Sequence, residues 1–219
     1  MTASSDPADK TKQPKTAALI LAGGEGRRMG GNKPFREVGG KTLLTRVIDV
    51  AQVQCDYVMI SSNEDADVFK AYGLPVVADK PQAGQGPLGG ILGGLGALPE
   101  DTDWLVTFPV DCPVVPVDMV KRLLNAVQNT NVKAAFASHA DRDHYLSSIW
   151  HRDAAHMIGE KLAADDRRVR GPLQALDAPK VVFDDLVSGL APFTNINTPD
   201  ELKTVTAALA SFVGVPSRK

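Results

Sequence analysis

The sequence is poor in cysteine, with only Cys55 and Cys112 among its 219 residues. Their spacing fits neither a metal site nor a disulfide framework, so a reducing cytosol is the simplest location. No apolar run approaches the roughly 18 residues that a membrane helix needs. The first fifteen residues, MTASSDPADKTKQPK, lack the apolar core of a secretory signal. We therefore predict a cytoplasmic protein that crosses no membrane.

An excess of positive charge is also absent. The 24 basic and 26 acidic residues give a formal net charge of -2, whereas a nucleic-acid-binding domain is expected to be basic. The four histidines (His139, His144, His151 and His156) have no metal-ligand spacing, and we interpret them as ordinary surface or core residues. No convincing Ser–His–Asp set or pair of acids points to acid–base or nucleophilic catalysis.

Apolar runs do alternate with stretches of helical spacing, which indicates βαβ units and a parallel sheet. The fold class that we predict is α/β, a three-layer, Rossmann-like, mostly parallel sheet. Residues 1–15 are predicted to be a disordered tail and residues 16–219 a single domain. The predicted strands are 16–21, 56–61, 74–79, 103–111, 134–138, 146–151 and 180–185. The predicted helices are 43–52, 64–73, 116–128, 153–164 and 198–212, with a glycine-rich candidate at 87–99.

The stretch LILAGGEGRRMGGNKP (19–34) places many glycines and three cations behind the first strand. It is not the dinucleotide fingerprint, because Met29 stands where the third glycine belongs. Free backbone N–H groups together with Arg27, Arg28 and Lys33 favour a phosphate cradle. The alternative is a surface loop with solvated charges.

Two acids follow buried strands at the edge where ligands bind in such sheets. Asp111 is held between Pro109 and Pro113, and a magnesium ion takes one or two carboxylates plus substrate phosphates. Asp79 has the same placement after the third strand. For each acid, the alternative is a turn residue. Cys112 is interpreted as a small buried residue.

Three further segments have two interpretations each. QGPLGGI (85–91) is predicted either to form a flat wall against which a base or ribose packs, or to begin a helix. ADDRRVR (164–170) is a second anion site or a solvated loop. FTNINTP (193–199) places Asn195 and Asn197 on the same side of an extended segment, where paired amides suit a heterocycle or phosphate. Capping of the last helix, with Thr198 as the cap, is the alternative for those amides.

Together these pieces resemble the molybdenum cofactor guanylyltransferase family of nucleotidyltransferases. The resemblance rests on LAGGEGRRMGG with Lys33, SSNEDA, VVADKPQAGQGPLGGI, FPVDCP and FTNINTPDEL, which span residues 19 to about 205. LAGG is similar to the guanylyl branch, whereas cytidylyl relatives more often show LAAG. The chain departs from the family pattern Gly-Gly-x-Asp-Lys, since it reads GGNK and is one residue shorter.

This resemblance implies a nucleotidyltransferase that moves GMP from GTP to the phosphate of molybdopterin, with Mg²⁺ as cofactor. Arg28, Lys33 and Asp111 would be catalytic, with Asp111 on the metal. The implied nucleotide-binding residues are Leu21, Ala22, Gly23, Gly24, Lys33, Asn63, Asp79, Gly86, Pro87, Leu88 and Asp111. The implied acceptor-binding residues are Asn195, Asn197, Arg167 and Arg168.

The resemblance also implies transient contacts with other proteins of cofactor synthesis or with molybdoenzymes, and no nucleic-acid partner. Two alternatives stay open. One is a related nucleotidyltransferase that uses CTP on the same acceptor or acts on a sugar phosphate. The other is a nucleotide-binding module without turnover.

Overall fold

The computed structural model describes residues 13–23 and 33–210. The strands of this part of the chain are β1 (Thr16–Leu21), β2 (Glu37–Val38), β3 (Lys41–Thr42), β4 (Tyr57–Ser61), β5 (Val76–Val77), β6 (Trp104–Pro109), β7 (Ala134–His139), β8 (Arg142–His151) and β9 (Lys180–Val182). The α-helices are α1 (Leu43–Gln54), α2 (Gly86–Gly96), α3 (Met119–Val127), α4 (Ala154–Ala163), α5 (Arg170–Ala175) and α6 (Pro199–Ala210). No helix in the described ranges is both long enough and apolar enough to cross a membrane.

Seven strands form one sheet in the order β5-β4-β1-β6-β8-β7-β9. β1 pairs in parallel with β4 and β6, and β4 with β5. β8 runs antiparallel to both of its neighbours, β6 and β7. β2 and β3 form a separate antiparallel hairpin. The predicted mostly parallel α/β sheet is confirmed, with β8 as its one antiparallel strand among the described residues.

The central strand β1 is buried along its whole length, because helices cover both faces of the sheet. Ala18 and Ile20 face a core that includes side chains of α1, α3 and α6. Leu19 faces the opposite core, which includes side chains of α2, α4 and α5. This alternation explains why the strand is continuously apolar rather than half polar.

Several predicted elements have different bounds in the structure. The third strand shrinks to β5, because Pro75 has no N–H to donate to the ladder and the chain turns away after Val77. The predicted 64–73 helix is a 3₁₀ helix, Ala66–Tyr72, which ends at Gly73 in the left-handed region (φ 63°). α3 begins at Met119, after a turn that starts at Pro116. Helix α5 was not predicted.

The glycines of α2 allow the helix to lie directly on the sheet and its loops. A Cβ on Gly93 would lie 2.2 Å from the backbone oxygen of Ala78, and one on Gly90 would lie 2.3 Å from Oγ of Ser61. The helical cost of each glycine, about 1 kcal/mol, is therefore offset by close packing that a side chain would prevent.

Replacement of Gly93 tests this packing. Gly93→Ala places a methyl group against a backbone carbonyl, so we expect the free energy of unfolding to fall by about 1–3 kcal/mol. Gly96→Ala is the matched control, because a Cβ there meets nothing within 4 Å, and we expect a change below about 1 kcal/mol. Urea denaturation of both variants measures the difference. Equal stabilities would contradict the packing argument.

The domain bounds stay a prediction, since residues 1–12, 24–32 and 211–219 lie outside the described part. Lys15, the last residue of the predicted tail, forms an ion pair with Asp101 close to the start of β1.

Candidate active site

The carboxyl ends of the parallel strands bring the predicted residues to one edge of the sheet. Gly23 follows β1, Asn63 follows β4, Asp79 follows β5 and Asp111 follows β6. The edge is tied together by the backbone, because the N–H of Ala22 donates to the carbonyl of Ser61 (3.0 Å) and that of Val110 donates to Leu21 (3.2 Å). Leu21 and Ala22 are almost fully buried, so any ligand would meet mainly their backbone.

Lys33, Asp111 and Asn197 form a cluster at this edge. The Nζ of Lys33 donates to Oδ2 of Asp111 at 2.8 Å and to Oδ1 of Asn197 at 2.8 Å. The side chain of Lys33 is 15% exposed and that of Asp111 is 25% exposed. An ammonium group has three N–H donors, so one donor remains for a ligand. The cluster therefore presents a held cation beside a partly accessible carboxylate.

Asn197 reaches this cluster because the chain returns to the sheet edge before α6. The N–H of Ile196 donates to the carbonyl of Asp111 (2.8 Å), and that of Phe193 donates to Val114 (2.7 Å). Ile196 is fully buried, whereas Asn195 and Asn197 on either side of it are not. The prediction that the two amides share one side of an extended segment agrees with this arrangement.

The start of α6 is capped by other residues, which leaves the amide of Asn197 free for Lys33. Oε2 of Glu201 accepts from the N–H groups of Asn197 (2.7 Å) and Thr198 (2.9 Å), while Oγ1 of Thr198 accepts from the N–H of Glu201 (3.2 Å). This is a capping box. The N–H group of Asn197 is the main cause of a lowered pKa at Glu201. The capping interpretation therefore applies to Thr198 and Glu201.

A second cluster joins Asn63, Asp79 and Gln85. Oδ1 of Asn63 accepts from the N–H of Asp79 (3.0 Å), and Oδ2 of Asp79 accepts from the N–H of Gln85 (3.1 Å). These bonds fix the loop that leads to the exposed residues Gly86 and Pro87 at the start of α2.

Leu88, the third residue of the predicted wall, does not lie on its surface. Its side chain is fully buried in the core beneath α2. It supports the wall from below, and its predicted role in nucleotide binding stays a prediction.

Arg167 lies by the loop before α2, and both Arg167 and Arg168 pair with neighbouring acids. Arg167 forms an ion pair with Asp165 (3.0 Å) and donates to the carbonyl of Gly84 (3.1 Å). Arg168 pairs with Asp166 at 2.8 Å. Neither arginine is among the residues that line the cleft beside Asn195. The structure thus places Arg167 near the predicted base wall, and both arginines already carry a counter-charge.

A cleft of about 220 Å³ opens between Asp111 and the first half of β8. Its lining includes Pro109, Asp111, Arg142, His144, Tyr145 and Asn195. The ladder between β7 and β8 shifts register, since Phe136 pairs with Ser148 and Ala137 with His144. Residues 145–147 therefore leave regular pairing and face the cleft.

His144 is a functional candidate, although its sequence context predicted an ordinary surface or core residue. Burial, reinforced by the nearby Arg142 and His139, lowers the pKa of His144 to about 4, so its ring is neutral near pH 7. The ring lies 4.9 Å from that of Phe193. The clue available in the sequence was the polar stretch RDHY directly before the predicted strand 146–151.

Part of the predicted phosphate cradle belongs to residues that the structure does not describe. Gly24, Arg27 and Arg28 lie outside the described residues, and their predicted roles stay predictions. Within ranges 13–23 and 33–210, no group of three or more His, Cys, Asp or Glu side chains is arranged to hold a metal ion. A metal at this edge would rest on Asp111 with ligands supplied by substrate and water.

Comparison with known proteins identifies the family. Residues 18–179 match the MobA-like NTP transferase domain. The chain belongs to this family. It is 38% identical over 193 residues to the molybdenum cofactor guanylyltransferase of Rhodopseudomonas palustris (strain BisB5), covering 86% of this chain and 91% of that protein. It is also 38% identical over 190 residues to the Rhodobacter capsulatus protein of the same name, covering 86% and 93%.

The fold of this MobA-like chain is also that of a solved structure. Molybdopterin-guanine dinucleotide biosynthesis protein A from Archaeoglobus fulgidus superposes with a TM-score of 0.73 at 22% identity, covering 90% of this chain and 100% of that one. The predicted fold and the predicted enzyme class, a nucleotidyltransferase, are confirmed.

Proposed function

We propose that this MobA-like enzyme transfers GMP from GTP to the terminal phosphate of molybdopterin and releases pyrophosphate. The product is the guanine dinucleotide form of the molybdenum cofactor. The cluster of Lys33, Asp111 and Asn197 at the carboxyl edge carries the proposal, because it joins a cation suited to phosphates, an acid suited to a metal ion and an amide from a distant segment. Its relatives are named molybdenum cofactor guanylyltransferases, which supports this proposal.

The reaction needs little acid–base chemistry from the protein. An oxygen of the acceptor phosphate forms a bond to the α-phosphorus of GTP, and the bond from that phosphorus to the pyrophosphate oxygen breaks. The attacking oxygen is already ionised at pH 7, so no general base is required. The enzyme contributes positioning and neutralisation of charge.

Lys33 is placed to bind the phosphates of GTP. Asp111 and Asn197 take two of its donors and orient the ammonium group, and the third is free for a phosphate oxygen. Arg28, from the cradle segment, is proposed to act on the same phosphates. These cations would reduce the repulsion between the triphosphate and the phosphate that attacks it.

Asp111 fits a divalent cation, which we propose to be Mg²⁺. Oδ2 accepts from Lys33, and no described residue donates to Oδ1, which leaves that oxygen for a metal. A single carboxylate is sufficient, since magnesium commonly binds one or two carboxylates and completes its shell with phosphates and water. When bound, the ion would supply charge neutralisation at the phosphates.

The base and ribose are assigned to the other half of the edge. Asn63 and Asp79 are held together there, beside the exposed backbone of Gly86 and Pro87. Cys55 and Cys112 are free thiols, which agrees with the cytoplasmic location that we propose.

A screen of substrates tests the proposed function. Pyrophosphate release is measured with GTP, CTP, ATP or UTP, with Mg²⁺, and with molybdopterin or a sugar phosphate as acceptor. We expect release only with GTP and molybdopterin together. Release with CTP would favour a cytidylyltransferase, and release with a sugar phosphate would favour a sugar-activating enzyme. Binding of GTP without release under any condition would indicate a regulatory module.

Single replacements separate the roles of the two asparagines. Asn195 lines the cleft beside Asp111, so Asn195→Ala should raise the KM for molybdopterin by roughly 5- to 30-fold, the loss of one or two hydrogen bonds, with GTP affinity unchanged. Asn197→Ala should lower the affinity for both substrates, because it also removes a hydrogen bond that holds Lys33. Titration of each variant with each substrate checks this. A loss confined to GTP in Asn195→Ala would reverse the assignment.

A further inference from the structure

Arg142 differs from Arg167 and Arg168 in forming no ion pair within the described residues. Arg167 and Arg168 each pair with an acid. Arg142 is exposed at the start of β8 and lines the cleft beside Asp111. No described residue forms an ion pair or hydrogen bond with its guanidinium group. An unpaired guanidinium on the wall of a cleft is available for an anion.

The direction of β8 explains why Arg142 reaches the catalytic edge. β8 is antiparallel to β6, with Trp104 opposite His151 and Val106 opposite Ile149. The amino-terminal part of β8 therefore lies at the carboxyl end of β6, where Asp111 follows. Oγ1 of Thr107 holds this part in place by donating to the carbonyl of Leu146 at 2.7 Å.

The size of the cleft suits a phosphate group with a small attached portion, and its lining holds Arg142 together with two carboxylates, Asp111 and Asp143. Its volume of about 220 Å³ is below the roughly 300–1,000 Å³ of sites that enclose a drug-sized ligand. Asn195 supplies an amide to the same cleft, and the ring of His144, packed against Phe193 at 4.9 Å, supplies a flat wall.

We infer that Arg142 binds the terminal phosphate of the acceptor in this cleft, with the amide of Asn195 as a second donor. This inference rests on the proposed function. It assigns the side chain that binds the phosphate of the acceptor, which is the attacking group. Lys33, which contacts Asp111, then serves the triphosphate, and Arg142, which shares a cleft with Asp111, serves the acceptor. A guanidinium group binds two phosphate oxygens at once, which would fix the orientation of the third as the nucleophile.

Two ligands that differ only in the phosphate test the inference. Equilibrium binding of molybdopterin and of dephosphomolybdopterin is measured for the wild type and for Arg142→Ala. We expect the wild type to prefer the phosphorylated ligand by roughly 10- to 100-fold, the usual range for hydrogen bonds to a charged group, and Arg142→Ala to lose most of this preference. Arg142→Lys should retain part of it. Affinity for GTP with Mg²⁺ should be unchanged in both variants.

Controls distinguish the possible failures. Lys121→Ala removes an exposed cation from α3 and should behave as the wild type. An equal loss for both ligands in Arg142→Ala, or a parallel loss of GTP affinity, would overturn the role in phosphate binding. If the wild type forms the dinucleotide and Arg142→Ala matches it in KM and kcat, only the role of Arg142 is overturned. If the wild type forms no dinucleotide, the proposed function itself is overturned.

Discussion

Asp111→Asn is expected to lower kcat by roughly 10²–10³-fold, the usual cost of removing one preorganised electrostatic contact from a transition state. The amide keeps the shape of the carboxylate, and its oxygen can still accept from Lys33, so the fold should persist. The negative charge that attracts a divalent cation is lost. Initial rates over a range of Mg²⁺ concentrations measure the effect, and a higher Mg²⁺ requirement is expected together with the lower rate.

A surface ion pair provides the control for this variant. Asp49 pairs with Lys41 at 2.6 Å, and both side chains are about half exposed (47% and 54%), unlike Asp111. Asp49→Asn should leave kcat within about twofold, because exposed pairs contribute little. Near wild-type activity of Asp111→Asn would remove this residue from the mechanism.

Lys33→Ala should lower the affinity for GTP far more than the affinity for guanosine, because only the triphosphate contacts the ammonium group. The expected loss of GTP affinity is roughly 10- to 100-fold, corresponding to about 1.5–3 kcal/mol for a hydrogen bond to a charged group. Guanosine affinity should change by less than twofold. Calorimetric titrations with both ligands give the two values, and circular dichroism checks that the variant is folded.

Lys41→Ala, which breaks the exposed pair with Asp49, is the matched control for Lys33→Ala. It should leave both affinities unchanged. Equal losses of affinity for GTP and for guanosine in Lys33→Ala would mean that Lys33 shapes the base pocket through Asp111 and Asn197. That result would refute its assignment to the phosphates.

The sequence predicted the carboxyl edge of the sheet well because buried parallel strands have a recognisable pattern. Continuous apolar runs located β1 and β6, and the rule that ligands bind at the carboxyl ends of such strands selected Asp79 and Asp111. The glycines of α2 raised the expectation of close packing, but their partners, such as the carbonyl of Ala78 for Gly93, depend on the three-dimensional arrangement.

Other features depended on contacts between distant parts of the chain. Lys33 and Asn197 are 164 residues apart, and no local pattern indicates that they meet. The apolar run of β8 identifies a strand without giving its direction, so the antiparallel return that brings Arg142 to Asp111 was not predicted. Arg167 and Arg168 looked like free cations in the sequence, whereas the structure pairs them with Asp165 and Asp166.

The most direct test of the proposed reaction is to identify its product. The enzyme is incubated with Mg²⁺, molybdopterin and GTP labelled with ³²P at the α-phosphate. The products are then separated, and their masses are determined by mass spectrometry. We predict that the label enters a dinucleotide with the mass of molybdopterin plus GMP minus water, in a one-to-one ratio with released pyrophosphate. Label recovered only in GTP, GDP or free GMP, or a dinucleotide formed from CTP in preference to GTP, would contradict a guanylyltransferase.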